Sequence, residues 1–333
     1  MKSILSHSTA LAFWRNCFPL DGEMGNAAHV SGAEVVTGDK NAVMDAVPDA
    51  CLRNGRPLDV MVFDQARRGR SSLIRPHVHS TSIPAGAFYK EGHLYVSSPE
   101  FVFLQLASEL SIVQLVALGD ELCGNYVLVP KGEVHPSTFD DLPRRVTPLT
   151  NLEKLSDFLE AAKGSRGCAK AQRALRYVVE GSRSPMESAI CIQLCLPVML
   201  GGYGFPLPVM NETIELDDEA RKVAQRQYCE GDLCWGGNIK LDIEYHGDVH
   251  VGSAPMRSDV GRELGIERME WKVITVSYPQ VVDIDRFEVV ASEAAKRLGK
   301  RLYKKDMGMT QKRMRLHDEL YAWKDAAYPV VEG

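Results

Sequence analysis

The chain has no apolar run approaching the ~20 residues needed to span a bilayer, so no transmembrane segment and no membrane partner are expected. It has no excess of positive charge either. Its 39 Lys and Arg stand against 44 Asp and Glu, giving a formal net charge of −5, so any nucleic-acid-binding surface must be local. The eight cysteines show no disulfide-like framework, and the N-terminus lacks the pattern of a secretory signal. Both point to a reducing cytosol and a cytoplasmic protein. No internal repeat or low-complexity segment is visible. What remains is 333 residues at 45% hydrophobic composition, enough for one large domain or, as expected here, two.

Pattern along the chain predicts mixed α and β structure. "ILSHSTALAFWR" reads as a short helix capped by Ser6 or Ser8, and "LDVMVF", "RSSLIRPHVHS" and "GHLYVSS" read as strands. Ser98 followed by Pro99 opens one helix, and Ser184 followed by Pro185 opens another that Pro197 ends. Between them, "VPKGEVHPSTFDDLPRRVTPLT" is polar and proline-punctuated, as an interdomain linker would be. Further on, "VMNETIELD" and "WKVITVSY" read as strands, "DVGRELGIERM" as a helix, and about 285–302 as a last long helix.

The unusual stretch is "GDLCWGGNIKLDIEYHGDVH", residues 231–250, where apolar residues alternate with acids. Strand parity puts Lys240, Asp242, Glu244 and His246 on one face and Ile239, Leu241, Ile243 and Tyr245 on the other. For Leu233 and Trp235 to join that apolar face, the hairpin loop must be odd in length. A three-residue loop, Gly236-Gly237-Asn238, satisfies this and would set Asp232 across from Asp242 with Glu244 diagonal. Like charges so placed repel, and a bound Mg²⁺ or Mn²⁺ on hard carboxylate oxygens would explain them. The alternative is a solvated face on which Lys240 and His246 offset the acids. A basic side chain fixed on these carboxylates would defeat the metal reading.

"GDLCW", "LDIEYHGDVH", "SDVGRELG" and "MEWKVITVS", in that order, resemble the PD-(D/E)XK nuclease superfamily, in its very-short-patch-repair-endonuclease-like branch. The resemblance spans about 165–305. It implies an α/β (α+β) restriction-endonuclease-like domain, a mixed sheet flanked by helices, that hydrolyses DNA phosphodiester bonds in phage defence or repair. By position, it implies Asp232 and Glu244 as metal ligands with Asp242 beside them, and Glu187 as the helical glutamate near the metal. His246 takes the place of the family's usual lysine and His250 fits a second histidine, both candidates for proton transfer. Asp259 and Arg262 match a supporting D-x-x-R element. Two of these residues have plainer readings: Ser184-x-x-Glu187 is also a capping box, and Arg262 is also a ready ion-pair partner.

Residues 294–316 carry a local basic run: Lys296, Arg297, Lys300, Arg301, Lys304, Lys305, Lys312, Arg313 and Arg315, with Tyr303 available for stacking. It fits a phosphate backbone or an ordinary solvated helix face. Cys191, Cys195, Cys229 and Cys234 lack the spacing of a zinc knuckle, so zinc is not expected. His77, His79 and His93 have no ligand-like spacing with nearby acids and read as ordinary strand or surface residues.

"ILSHSTALAFWR" and "GHLYVSSPEFVFLQLASELSIVQLVALGDEL" resemble AbiEi-like antitoxin and regulator proteins over about 1–125, although the first 55 residues match that family's winged helix–turn–helix poorly. The expected organisation is therefore an accessory domain over 1–145 with a possible protein partner, a linker and helix over 146–164, and the nuclease-like domain over 165–325. The alternative function is a nucleic-acid-binding antitoxin or regulator without cleavage, or a protein-interaction partner in a toxin–antitoxin pair.

Overall fold

The computed structural model describes residues 3–22, 43–44, 47–52, 57–64, 72–79, 82–128, 144–246, 256–303 and 306–325. Among them the chain is mixed α/β, with two mixed sheets and no barrel.

The first sheet contains β1 (Ser3–Leu5), β2 (Leu58–Val62), β3 (Ile74–Val78), β4 (Phe88–Glu91) and β5 (Leu94–Ser97), ordered β3-β2-β1-β5-β4. β1 lies at its centre, antiparallel to β2 and parallel to β5. That position explains why a three-residue strand with no polar alternation reads as the start of a helix: all three of its residues are buried. The helix follows at once, as α1 (His7–Asn16), with Ser6 at the N-cap position and His7 at φ +45° in the turn.

α2 (Pro99–Leu106), α3 (Ile112–Leu122), α4 (Leu152–Ala161) and α5 (Cys168–Leu175) complete the first core. Ser98 caps α2 through the Phe101 amide, as its sequence predicts. Trp14, Phe101 and Phe103 are fully buried there, each worth about 1.5–3 kcal/mol of transfer energy, and the Trp14 indole donates to the Ser97 carbonyl at 2.8 Å. α4 falls in the segment expected to begin with a linker, and it packs Leu155, Phe158 and Leu159 into this core.

α6 (Pro185–Cys195) joins the two halves. All eleven of its residues are buried, which a helix can sustain only with packing on every side. Ala189 and Ile192 face the first core, while Met186, Ile190, Cys191 and Leu194 face the second.

The second sheet contains β6 (Val209–Glu215), β7 (Tyr228–Trp235), β8 (Leu241–His246) and β9 (Lys272–Ser277) in chain order. α7 (Asp218–Ala224) lies between β6 and β7. β6, β7 and β8 run antiparallel, and α8 (Met256–Arg268) crosses over to bring β9 parallel to β8. α9 (Tyr278–Val282) and α10 (Ile284–Arg297) follow. The C-terminal helix, α11 (Met307–Asp325), begins beyond the long helix expected at about 285–302 and returns to the first core with Leu316, Leu320 and Tyr321.

Among the described residues, no helix is long and apolar enough to cross a membrane.

Candidate functional site

The acid-rich hairpin forms, but with a longer loop than its turn residues suggest. Trp235 pairs with Leu241 and Leu233 with Ile243, leaving residues 236–240 as a five-residue connection. Odd parity survives, so Leu233, Trp235, Leu241 and Ile243 share the apolar face and enter the second core. The register is corrected: Cys234, not Asp232, stands opposite Asp242. Lys240 belongs to the turn at φ +50°, and its Nζ bonds the Met269 carbonyl at 3.0 Å and lies 3.5 Å from Glu270. It therefore does not balance the acids.

Alternation slips along β7. A Cβ on Gly231 would lie 2.5 Å from both the Asp242 carboxylate and the Cys234 Sγ. Residues 231 and 234 face the same group only if the two-residue repeat slips between them, and because the β6–β7 register is the same on both sides, β6 slips with β7. On β6, Asn211 at φ +49° marks the same level. Asp232 sits in this irregularity, and its Oδ2 accepts the Tyr245 backbone N–H at 2.8 Å.

Four carboxylates surround this point. Asp242 is 0% exposed; its Oδ1 accepts from Cys234 Sγ at 3.6 Å, and a carboxyl–carboxylate hydrogen bond joins it to Glu244. Burial and the adjacent Glu244 push Asp242 up to about 9. Asp232 is pushed up to about 7 by burial and by the charge of Glu187. Glu187, on α6, is also raised by burial, against the bonds it accepts from the Arg183 N–H at 2.9 Å and Asn211 Nδ2 at 2.7 Å. The capping box is thus half formed: Ser184 Oγ accepts the Glu187 N–H at 3.1 Å, but the glutamate turns to the Arg183 amide and to Asn211.

Glu244 differs from the other three. Both its oxygens are held by the Arg262 guanidinium, Nη1 to Oε2 at 2.8 Å and Nη2 to Oε1, while Nη2 also bonds the Glu230 carbonyl at 2.6 Å. Burial opposes its charge, but His246, Arg262 and Asp242 outweigh it and hold Glu244 down to about 2. The expectation of an open Glu244 is therefore corrected: the supporting arginine reaches across from α8 and occupies it. His246 ends β8 with its side chain 48% exposed and Nε2 3.6 Å from Glu244 Oε2.

His250 lies outside the described residues, and Asp259 falls in α8 with its side chain outside them. Asn211 and Gly231, which shape the site, carry no sequence signal beyond an Asn and a Gly in strand patterns.

Of the basic run, Lys304 and Lys305 lie outside the described residues. The rest do not form one stripe, because the helix breaks at Gly299, φ +62°, and restarts at Met307. Arg313 is buried over the Tyr203 ring at 4.2 Å and beside Glu288. Arg297 bonds the Ile239 and Glu270 carbonyls, each at 2.7 Å, and so ties α10 to the hairpin. Arg313 is thereby corrected from a nucleic-acid contact to a packing residue, while Arg297 is exposed with its guanidinium bonded to these two carbonyls. Lys296 pairs with Glu293 and Arg315 with Glu319, while Lys300, Arg301 and Lys312 are exposed.

Among the described residues, the three acids of the hairpin do not bring their oxygens within 4.8 Å of one another as a group; His7, His77 and Glu109 in the first half do. His77, expected to be an ordinary strand residue, in fact places Nε2 2.8 Å from Asp59 Oδ1.

Compared with family models, with curated proteins and with solved structures, the chain returns no match.

Proposed function

We propose that the chain is a divalent-cation-dependent DNA endonuclease whose reaction centre is the carboxylate group on α6, β7 and β8. The carrying observation is the imbalance there: among the described residues Glu187, Asp232, Asp242 and Glu244 share one bonded guanidinium, and Asp242 bonds no base, meeting the Cys234 thiol and the Glu244 carboxylate instead. An all-oxygen donor set suits Mg²⁺ or Mn²⁺, but Asp232, Asp242 and Glu244 would hold the ion only after Arg262 releases Glu244 and the three carboxylates, which do not gather within 4.8 Å here, close up. A bound ion supplies phosphoryl polarisation and an activated water.

The chain's own residues account for the rest. Arg183 and Asn211 fix Glu187 beside Asp232. The Tyr245 amide orients Asp232. His246, half exposed at the strand end 3.6 Å from Glu244, is the candidate for proton transfer in this reading.

The hold of Arg262 on both oxygens of Glu244 favours a second reading, a nuclease-like fold that binds nucleic acid as a regulator without cutting it.

Plasmid nicking and single-stranded DNA cleavage with Mg²⁺, Mn²⁺ or EDTA separate the two. Under the first reading the chain cuts with either ion and not with EDTA, and Asp232→Ala or Glu244→Ala lowers the rate at least about 100-fold, as losing a principal charge-stabilising group does. Undiminished cleavage by either variant removes this site. DNA binding without cleavage by the unaltered chain assigns the second reading.

A further inference from the structure

The first sheet carries a second cluster, built on donors of a different kind. α1 starts with His7, whose φ of +45° is uncommon for a residue with a side chain and holds the imidazole at the strand-to-helix turn. The His7 amide is fixed by Gln105 Oε1 at 2.9 Å. Its ring stacks on His77 from β3, centroids 3.6 Å apart and planes 19° from parallel. Glu109 approaches from the end of α2, its Oε1 3.9 Å from His7 Nε2.

Two atoms in this cluster are buried without hydrogen-bond partners, His7 Nδ1 and Glu109 Oε2. Leaving such groups unpaired costs about 1–3 kcal/mol each. The three residues offer ligand atoms all within 4.8 Å of one another. They line a cavity of about 480 Å³ together with Gln105, Ser108 and Arg166.

Behind His77 stands Asp59, which accepts from its Nε2 at 2.8 Å. A histidine that donates one ring nitrogen to a carboxylate keeps the other as a lone-pair donor, and this is the outer-sphere arrangement that orients metal-binding histidines. Asp59 is in turn fixed by Ser8 Oγ at 2.5 Å and Arg75 Nε at 2.6 Å.

We infer that His7, His77 and Glu109 hold a divalent transition-metal ion of the zinc class. Two imidazoles and one carboxylate suit such an ion far better than Mg²⁺. Three protein ligands would leave a fourth position for water or substrate, as in catalytic zinc sites, and all three residues line the cavity. Because lone pairs lie in the ring planes, ligation by both imidazoles splays the stacked rings. The site is separate from the carboxylates of the second sheet and does not depend on their being catalytic.

The test is metal uptake by the purified full-length chain, stripped with chelator and titrated with Co²⁺ and then Zn²⁺ in a large excess of Mg²⁺, which keeps Co²⁺ off the carboxylates of the second sheet. The expected result is one Co²⁺ per chain with a visible ligand-field band, displaced by Zn²⁺, and a Zn²⁺-dependent rise in melting temperature. Glu109→Gln, which keeps the side-chain shape, and His7→Ala should each weaken binding at least about 10-fold and remove the rise, while circular dichroism shows the fold retained. Asp232→Ala should bind Co²⁺ as the unaltered chain does. Failure of the unaltered chain to take up either ion, unchanged binding by Glu109→Gln, or loss of binding in Asp232→Ala overturns the assignment.

Discussion

Asp59 and Asp242 occupy equivalent places in the two sheets. Each is the second residue of its strand, each follows a leucine and precedes a β-branched residue, and each is 0% exposed. Their charges fare oppositely. Around Asp59, burial opposes ionisation, but His77, Arg75 and Ser8 outweigh it and hold the carboxyl well below the usual carboxylate range. Around Asp242 there is one thiol donor and one neighbouring carboxylate, and the group is pushed up to about 9. Depth alone does not fix the state of a buried acid; the donors that reach it do.

The largest expected break in this comparison is Asp59→Ala. It strands Ser8 and His77 along with the half-exposed Arg75, and each donor left unsatisfied by the loss of a buried acceptor costs about 1–3 kcal/mol. Urea unfolding at pH 7 measures it, and a loss below about 1 kcal/mol would show that Asp59 is not the centre of that network. Next comes Gly231→Ala. Its methyl would meet the Asp242 carboxylate and Cys234 Sγ at 2.5 Å, and overpacking of this kind costs about 1–3 kcal/mol. A neutral result there would mean that the slip in β7 relaxes freely.

The smallest effect at low pH, and the most informative slope, belongs to Asp242→Asn. A carboxyl raised in the folded state binds its proton more tightly there than in the unfolded chain. Its stabilisation is therefore complete below about pH 4, the ordinary aspartate range, and fades as pH rises toward about 9. Asp59 has the opposite sign: its contribution is present above about pH 4 and lost as the solution becomes more acidic. Denaturant unfolding between about pH 4 and 9, without divalent ions, should show a decline that Asp242→Asn flattens, with the two proteins nearest each other at about pH 4 and diverging as pH rises. A decline of equal steepness in the variant would mean that Asp242 does not govern it.

Much of the second sheet was legible because its strands announce themselves. Alternation over 239–246 and the requirement that Leu233 and Trp235 share a core with Leu241 and Ile243 demanded an odd loop, and the loop is odd. Its length was not legible, because Lys240 adopts a positive φ that glycine or asparagine usually signals. The slip at Asp232 was invisible for a related reason: at the same level of β6, Asn211 takes a positive φ inside a strand pattern. The Arg262–Glu244 contact was anticipated only as an ion-pair alternative, since eighteen residues of separation say nothing about which carboxylate an arginine on α8 will reach. In the first half the difficulty was greater. His7, Asp59, His77 and Glu109 are spread over about a hundred residues with no motif spacing, and only the central position of β1 brings them together.

By itself the sequence determined the α/β class, the capped starts of α2 and α6, and the apolar face of the acid-rich hairpin, because capping and alternation are local and each is written within a few residues. Tertiary structure alone decided which acids are satisfied. "LDV" and "LDI" are nearly the same three letters, yet one aspartate gathers an arginine, a histidine and a serine from neighbouring elements while the other meets a thiol and a carboxylate. The energy of a buried charge depends on the groups brought within about 3 Å of it, and those are chosen by how distant segments pack.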